Sequence, residues 1–216
     1  MKRLHEWIGA SLRMGLPFFL FSGFAATAQT AEVVRTFQAN QYDLISVPLI
    51  TASNNQFVAM TTNVPYFSRV CFNDPPATNF TLAQKSGKGL WDASVAYRNV
   101  LPGNSFFLCP AGNCEIALIG TVPVSPVTNQ IYARWSALGY PYPVDVKWSQ
   151  TTLASNLPTG TRVYFWSRNA QNYQSFLKGP PAKGGWGDAA SKYVIHPGDG
   201  FIVRQPPGST PFIWTE

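Results

Sequence analysis

The chain has 216 residues, with 16 Lys and Arg against 10 Asp and Glu for a formal net charge of +6, yet only 12% of its residues are charged. The basic residues stand singly, with no run to track a phosphate backbone, which argues against nucleic acid as a partner. Low charge beside 14% aromatics, 18 prolines and 17 glycines argues against a helical bundle and for sheet, in a chain long enough for one large domain or two small ones.

At the start of the chain, Lys2, Arg3 and Arg13 precede the apolar run from Met14 to Phe24 and the small residues Ala25-Ala26-Thr27-Ala28. That is the layout of a secretory signal peptide, residues 1–28, cut after Ala28. The run is about half the roughly 20 residues a spanning helix needs, and no second long apolar segment follows, so the mature chain is expected to have no membrane span. Three basic and one acidic residue leave with the leader, so the mature charge is 13 − 9 = +4. The expected location is extracellular, cell-surface or periplasmic.

Beyond Ala28, short runs of β-branched and aromatic residues alternate with turn residues. A first unit, residues 29–122, is predicted to hold strands at Val33–Gln38, Tyr42–Leu49, Ser68–Asn73, Phe80–Ala83, Ser105–Cys109 and Glu115–Val122. Residues 123–128 form a proline-bearing junction. The second unit, residues 129–216, is predicted to hold strands at Ile131–Leu138, Thr161–Ser167, Tyr173–Leu177, Gly200–Arg204 and Pro211–Thr215. Short helical turns are expected at Gln56–Thr61 and Lys147–Ser155. The fold class is therefore all-β, as two tandem pseudo-repeated β-sandwich-like units of short antiparallel strands.

The repeat is read from landmarks at a nearly constant offset. Tyr42 to Pro48 stands against Trp135 to Pro141, Asn63-Val-Pro65 against Asn156-Leu-Pro158, and Arg69-Val-Cys-Phe72 against Arg162-Val-Tyr-Phe165, all 93 residues apart. After a two-residue length change the offset is 95, carrying Trp91 to Trp186, Pro102-Gly103 to Pro197-Gly198 and Phe106 to Phe201.

This frame bears on His196, the single histidine of the mature chain, which stands three residues from Asp199. Its counterpart is Leu101, and that of Asp199 is Asn104, so the first unit builds the same Pro-Gly turn without an acid or a base. A structural role for His196 is expected. Cys109 and Cys114 flank another turn, and in an exported chain a disulfide between them is the natural reading. It would contribute on the order of 2 kcal/mol. Cys71 is left over, as a partly buried free thiol or as a thiol for intermolecular pairing.

No metal-ligand or triad motif is found, and no cofactor, metal ligand or catalytic residue is assigned. Asp43, Asp92, Asp145, Asp188 and Asp199 are the carboxylates from which a glycosidase pair would be drawn. Aromatics that the offset matches with smaller or aliphatic residues are the candidate binding set: Tyr140, Tyr142, Trp148, Tyr164 and Trp166, opposite Val47, Leu49, Asn55, Cys71 and Asn73. Strand alternation sets Tyr164 and Trp166 on the face opposite Val163 and Phe165. That face is either a surface that stacks on a glycan or the interface between the units.

The segments LGYPYPVDVKW, NLPTGTRVYFW, GGWGDAA and IHPGDGFIV occur in that order. Together they resemble a module recurrent in secreted bacterial surface proteins, with the pattern L-x-G-x-P-Y-P, Y-x-W, G-G-W and P-G-x-G-F-F-V. The resemblance covers most of the second unit and, more faintly, the first, which lacks the Y-x-W pair. It implies an exported β-sandwich-like repeat with no established activity or catalytic residues. The expected function is thus an exported, non-enzymatic binding or structural module whose partner is a cell-surface or extracellular polysaccharide or protein. The alternatives are carbohydrate binding specifically and, behind it, glycoside hydrolysis.

Overall fold

The computed structural model describes residues 28–74, 80–183 and 185–216; the expected leader, apart from Ala28, lies outside the described residues. The first half carries β1 (Thr30–Phe37), β2 (Asp43–Ser46), β3 (Ile50–Thr51), β4 (Arg69–Asn73), β5 (Phe80–Gln84), β6 (Ser105–Cys109) and β7 (Cys114–Thr121), with α1 (Phe57–Met60) and α2 (Ala93–Ala96) between them. The second carries β8 (Thr128–Ile131), β9 (Trp135–Gly139), β10 (Val146–Lys147), β11 (Arg162–Ser167), β12 (Asn172–Leu177), β13 (Val194–Ile195), β14 (Gly200–Arg204) and β15 (Phe212–Thr215), with α3 (Thr152–Asn156) and α4 (Gly187–Ser191). Among the described residues no helix is long and apolar enough to cross a membrane.

Every strand pair is antiparallel. One four-stranded sheet runs β2-β6-β4-β5 and the other β9-β14-β11-β12; smaller sheets are β1-β7-β3, β8-β15 and β10-β13. Alternation along the strands decides which side is core: Val70 and Phe72 of β4 are buried while Arg69, Cys71 and Asn73 are not, and Val163 and Phe165 of β11 are buried in the same way. Val33, Phe37, Ile116 and Leu118 of the small sheet meet Ile45, Val70, Phe106 and Leu108 of the large one in the first core. Ile131 and Trp214 meet Leu138, Val163, Phe201 and Val203 in the second.

Each core is centred on one aromatic side chain. Phe57 lies edge-on to Phe72, Trp91 and Phe106 at 5.2, 5.0 and 5.3 Å, and Trp148 lies edge-on to Phe165, Trp186 and Phe201 at 5.5, 5.1 and 5.5 Å. The backbone agrees, since the Phe57 N–H donates to Arg98 O and the Trp148 N–H to Tyr193 O, both at 2.8 Å. Trp148 therefore matches Phe57. The expected match with Asn55 slips by two residues because the loop before it is shorter in the second half, and a side-chain count along the chain does not see a loop closure.

The halves meet through a matched pair of contacts. Ser46 N donates to Gly198 O at 2.9 Å and Gly139 N to Gly103 O at 3.0 Å, beside the bridges Ile45–Asp199 and Leu138–Asn104. Each Pro-Gly turn thus docks on the edge strand of the other half. Gly139 is needed at this approach, since a Cβ there would lie 2.0 Å from Ser46 Cβ.

Three expectations are corrected. The single strand predicted over Ile131–Leu138 is two, β8 and β9, because the chain changes layers between them: β8 pairs with β15 and β9 with β14. Ser46 is the last residue of β2, ahead of Pro48, which has no N–H to give a ladder. Cys109 and Cys114 are not bonded to each other, and Cys71 is also a free thiol. Cys109 closes β6 beside Arg69, with its Sγ 3.5 Å from the guanidinium, whereas Cys114 opens β7 in the other layer opposite Phe37. The turn between them is held by Asn40 N donating to Pro110 O at 2.7 Å and Ala39 N donating to Asn113 Oδ1 at 2.8 Å.

Candidate functional site

The five aromatics singled out in the sequence are not brought together as one exposed strip. Trp148 is fully buried at the centre of the second core and has no surface to offer a partner. Tyr140 packs on that core and on Tyr142, 5.7 Å away, and the Tyr142 hydroxyl donates to Glu216 O at 2.8 Å. Tyr164 is part-buried between Trp135 and Tyr173, at 5.6 and 5.8 Å. Trp166 crosses the seam: its indole N–H donates to Tyr42 O at 2.9 Å, and its ring meets Phe107 of β6 at 5.6 Å.

Around Trp166 one end of the seam, the closed end, is largely filled and keeps a smaller pocket of about 290 Å³ over Arg35, Asp43, Trp166, Arg168 and Asp199. Gln171 holds the Tyr42 peptide from both sides, accepting from its N–H at 2.9 Å and donating to its carbonyl at 3.0 Å. Arg35 bonds Asp199 at 2.7 Å and Asp43 at 3.2 Å, and Arg168 reaches Asp43 at 2.8 Å. Burial pushes the Asp43 carboxyl up, against the pull of the two guanidinium groups. Tyr173, beneath Trp166 at 4.9 Å, has its phenol pushed up to about 12, by burial first and by neighbouring Cys71 second.

The other end of the seam is open. A cleft of about 510 Å³ runs between the end of β4 and the start of β6 on one side and the β8–β9 region on the other, walled by Asn73, Asn104, Ser105, Gln130, Tyr132 and Ser136. Asn73 Oδ1 and Ser105 Oγ are buried there without a hydrogen-bond partner among the described residues. The two charges of the wall answer each other, as Arg98 pairs with Asp74, which also accepts from Thr81. Burial pushes the Asp74 carboxyl up, but these bonds outweigh it and hold the group below the usual carboxylate range. The rest of the lining is mostly amide and hydroxyl, with Phe72 and Tyr132 as its rings and Val100, Ala137 and Leu138 as its aliphatic part.

The carboxylates are each engaged. Asp92 caps α2 by accepting from Ser94 N at 2.8 Å, and Asp188 pairs with Lys192 on the surface at 2.8 Å. Asp43 and Asp199 are brought together on Arg35. His196 Nδ1 lies 2.9 Å from Asp145 Oδ1 with both side chains more than half exposed, and Asp199 Oδ2 accepts from the His196 backbone N–H, closing the turn.

Two lysines were not singled out from the sequence. Lys85 donates to the carbonyls of Thr61, Thr62 and Val64 at 3.1, 3.0 and 2.7 Å, and Lys178 to those of Ala154, Ser155 and Leu157 at 2.8, 2.9 and 2.6 Å. Burial lowers the pKa of both. They stand 93 residues apart, so the offset frame contained the signal.

The fold and the seam define an all-β protein of antiparallel sheets with a polar cleft between its halves. No family model, no curated protein and no solved structure matches the chain.

Proposed function

We propose that the chain is an exported, non-enzymatic binding module built from two copies of one β unit, with a cell-surface or extracellular polysaccharide as its partner. The observation that carries this reading is the cleft between the halves, whose volume lies in the range of ligand sites and whose walls are amides and hydroxyls rather than a nucleophile with its base. The leader-like start of the chain supports export. The two-copy reading is supported by the shared strand order of the large sheets and by the paired lysine and Pro-Gly contacts.

A glycan array probed with the mature chain tests the reading. Binding to a set of polysaccharides that are recovered intact after overnight incubation is the expected result. An array with no bound glycan overturns polysaccharide as the partner, and shortened glycans overturn the non-enzymatic part.

A further inference from the structure

The two ends of the seam differ residue by residue, and the difference assigns the cleft a ligand class; this rests on the binding reading above. By the sequence offsets, Asn73 at the open end stands for Trp166 at the closed end, Ser136 for Asp43, Ala137 for Leu44, Asn104 for Asp199 and Ser105 for Gly200. Over the two Pro-Gly turns the pattern continues, because Asn129 lies on Gly103 where Arg35 lies on Gly198. At the closed end the indole of Trp166 bridges to Tyr42, and Leu44 fills the space so fully that a Cβ on Gly200 would lie 2.6 Å from Leu44 Cγ. The remaining charges there are compensated by one another, Arg35 and Arg168 with Asp43 and Asp199.

At the open end the bulky and charged groups are replaced by small or neutral ones. Trp becomes Asn, Leu becomes Ala, both carboxylates become Ser or Asn, and the guanidinium becomes an amide. Of these pairs only Ser105 is larger than its counterpart, and the group it adds is a hydroxyl without a partner among the described residues; Asp74, which stands for Ser167, adds a charge that Arg98 compensates. The space is what the closed end would be with most of its plug removed; within its wall Ser136 Oγ accepts from Tyr132 N and Arg98 pairs with Asp74, so the lining carries no net charge, while Asn73 Oδ1 and Ser105 Oγ have no partner among the described residues. We infer that this cleft is a binding site for a neutral, hydroxyl-rich ligand, a short stretch of uncharged polysaccharide, and that Asn73 in the place of a tryptophan keeps it open.

The chemistry matches at named atoms. Asn73 Oδ1 accepts only, and Ser105 Oγ both donates and accepts, so a sugar hydroxyl, which does both, satisfies either one. Asp74 is bound to Arg98 and Thr81 and leaves no free charge to attract an ionic ligand. Tyr132 in the lining offers a ring to the C–H face of a pyranose.

Isothermal titration with cellohexaose, maltohexaose and xylohexaose as neutral probes and polygalacturonate as a charged one tests the site. The parent is expected to bind at least one neutral probe in preference to the charged one. Asn73→Trp should weaken that binding at least tenfold at an unchanged melting temperature, because the closed end already houses a Trp at the matching place. Ser105→Ala, which adds no bulk, should weaken it severalfold and decides the matter should Asn73→Trp fold poorly. Tyr97→Ala, an exposed aromatic outside the cleft, should bind as the parent does. Parent-like affinity in folded Asn73→Trp, or in Ser105→Ala where Asn73→Trp does not fold, overturns the site while leaving the binding function standing. Preference for polygalacturonate overturns the ligand class, and failure to bind any glycan, here or on an array, overturns the polysaccharide reading as well.

Discussion

His196 and Gly198 share one turn and have opposite weight. The imidazole is 62% exposed, its pair with Asp145 is a surface contact worth about 0–1 kcal/mol, and the matching residue of the other turn is Leu101. Gly198 sits at φ 83°, a conformation strained for any side chain and most of all for a β-branched one, and a Cβ there would press on Arg35 Cδ and Val33 Cγ1 at 3.3 Å. His196→Leu is therefore expected to melt with the parent, whereas Gly198→Val should lose roughly 1–2 kcal/mol or more, a fall of several degrees in a thermal melt. Equal melting temperatures would mean that the turn carries no positive-φ constraint. Phe67 shows the same constraint met differently: it holds φ 63° with its ring 60% exposed, where the matching place in the second half carries Gly160 at φ 86°. Both of these residues donate their N–H to a lysine carbonyl, Lys85 O or Lys178 O, at 2.8 Å.

At the scale of elements, the turn that follows α1 and the end of α3 depend on Lys85 and Lys178 to satisfy their carbonyls. A short helix leaves its C-terminal carbonyls without intrahelical donors, and in each half one ammonium, threaded beside Trp91 or Trp186, supplies three hydrogen bonds. Lys85→Met and Lys178→Met keep the aliphatic stem and remove the donor, so each should lose about 2 kcal/mol in urea unfolding through its unpaired carbonyls. A loss below ~0.5 kcal/mol would show that water takes over the bonds. Strands β6 and β14 are found as the sequence predicts them, because each is a short apolar run opened by a turn and closed by charge or proline. The break between β8 and β9 and the helices α2 and α4 were not legible. Four or five residues are too few to show a period, and the strand break is a change of partner rather than a change of composition.

For the molecule as a whole, the seam is the feature to test, and Tyr173 reports on it. Its phenol is an acid whose folded pKa, about 12, lies above the value near 10 of an unfolded chain. Below pH 10 both states keep the proton and the group adds nothing to the pH dependence. As pH rises from about 10 to 12 the unfolded chain ionises first, so stability falls through that window. Absorbance titration of the folded chain should show a tyrosine step near pH 12 that is lost in Tyr173→Phe, and that variant should lose less stability over the same window. Ionisation of every tyrosine near pH 10 would mean that the first half does not cover Tyr173.

The sequence by itself determined that the chain is all-β, where most of its strands fall, and that two turns carry the same Pro-Gly geometry, because these depend on local dihedral preference and on alternation along one strand. It also placed Trp166 on the side of β11 away from the core. Only the tertiary structure decided what stands opposite that side. Trp166 meets Tyr42 and Phe107 and narrows one end of the seam, while Asn73, at the matching place, leaves the wider cleft at the other end. Residue type and the offset frame marked the aromatics as the binding set, yet Trp148 lies in the core and the cleft is walled mostly by amides and hydroxyls. The physical reason is that exposure belongs to a pair of surfaces rather than to a residue, and which surfaces meet is set by contacts between segments distant in the chain, such as Ser46 with Gly198 and Gly103 with Gly139.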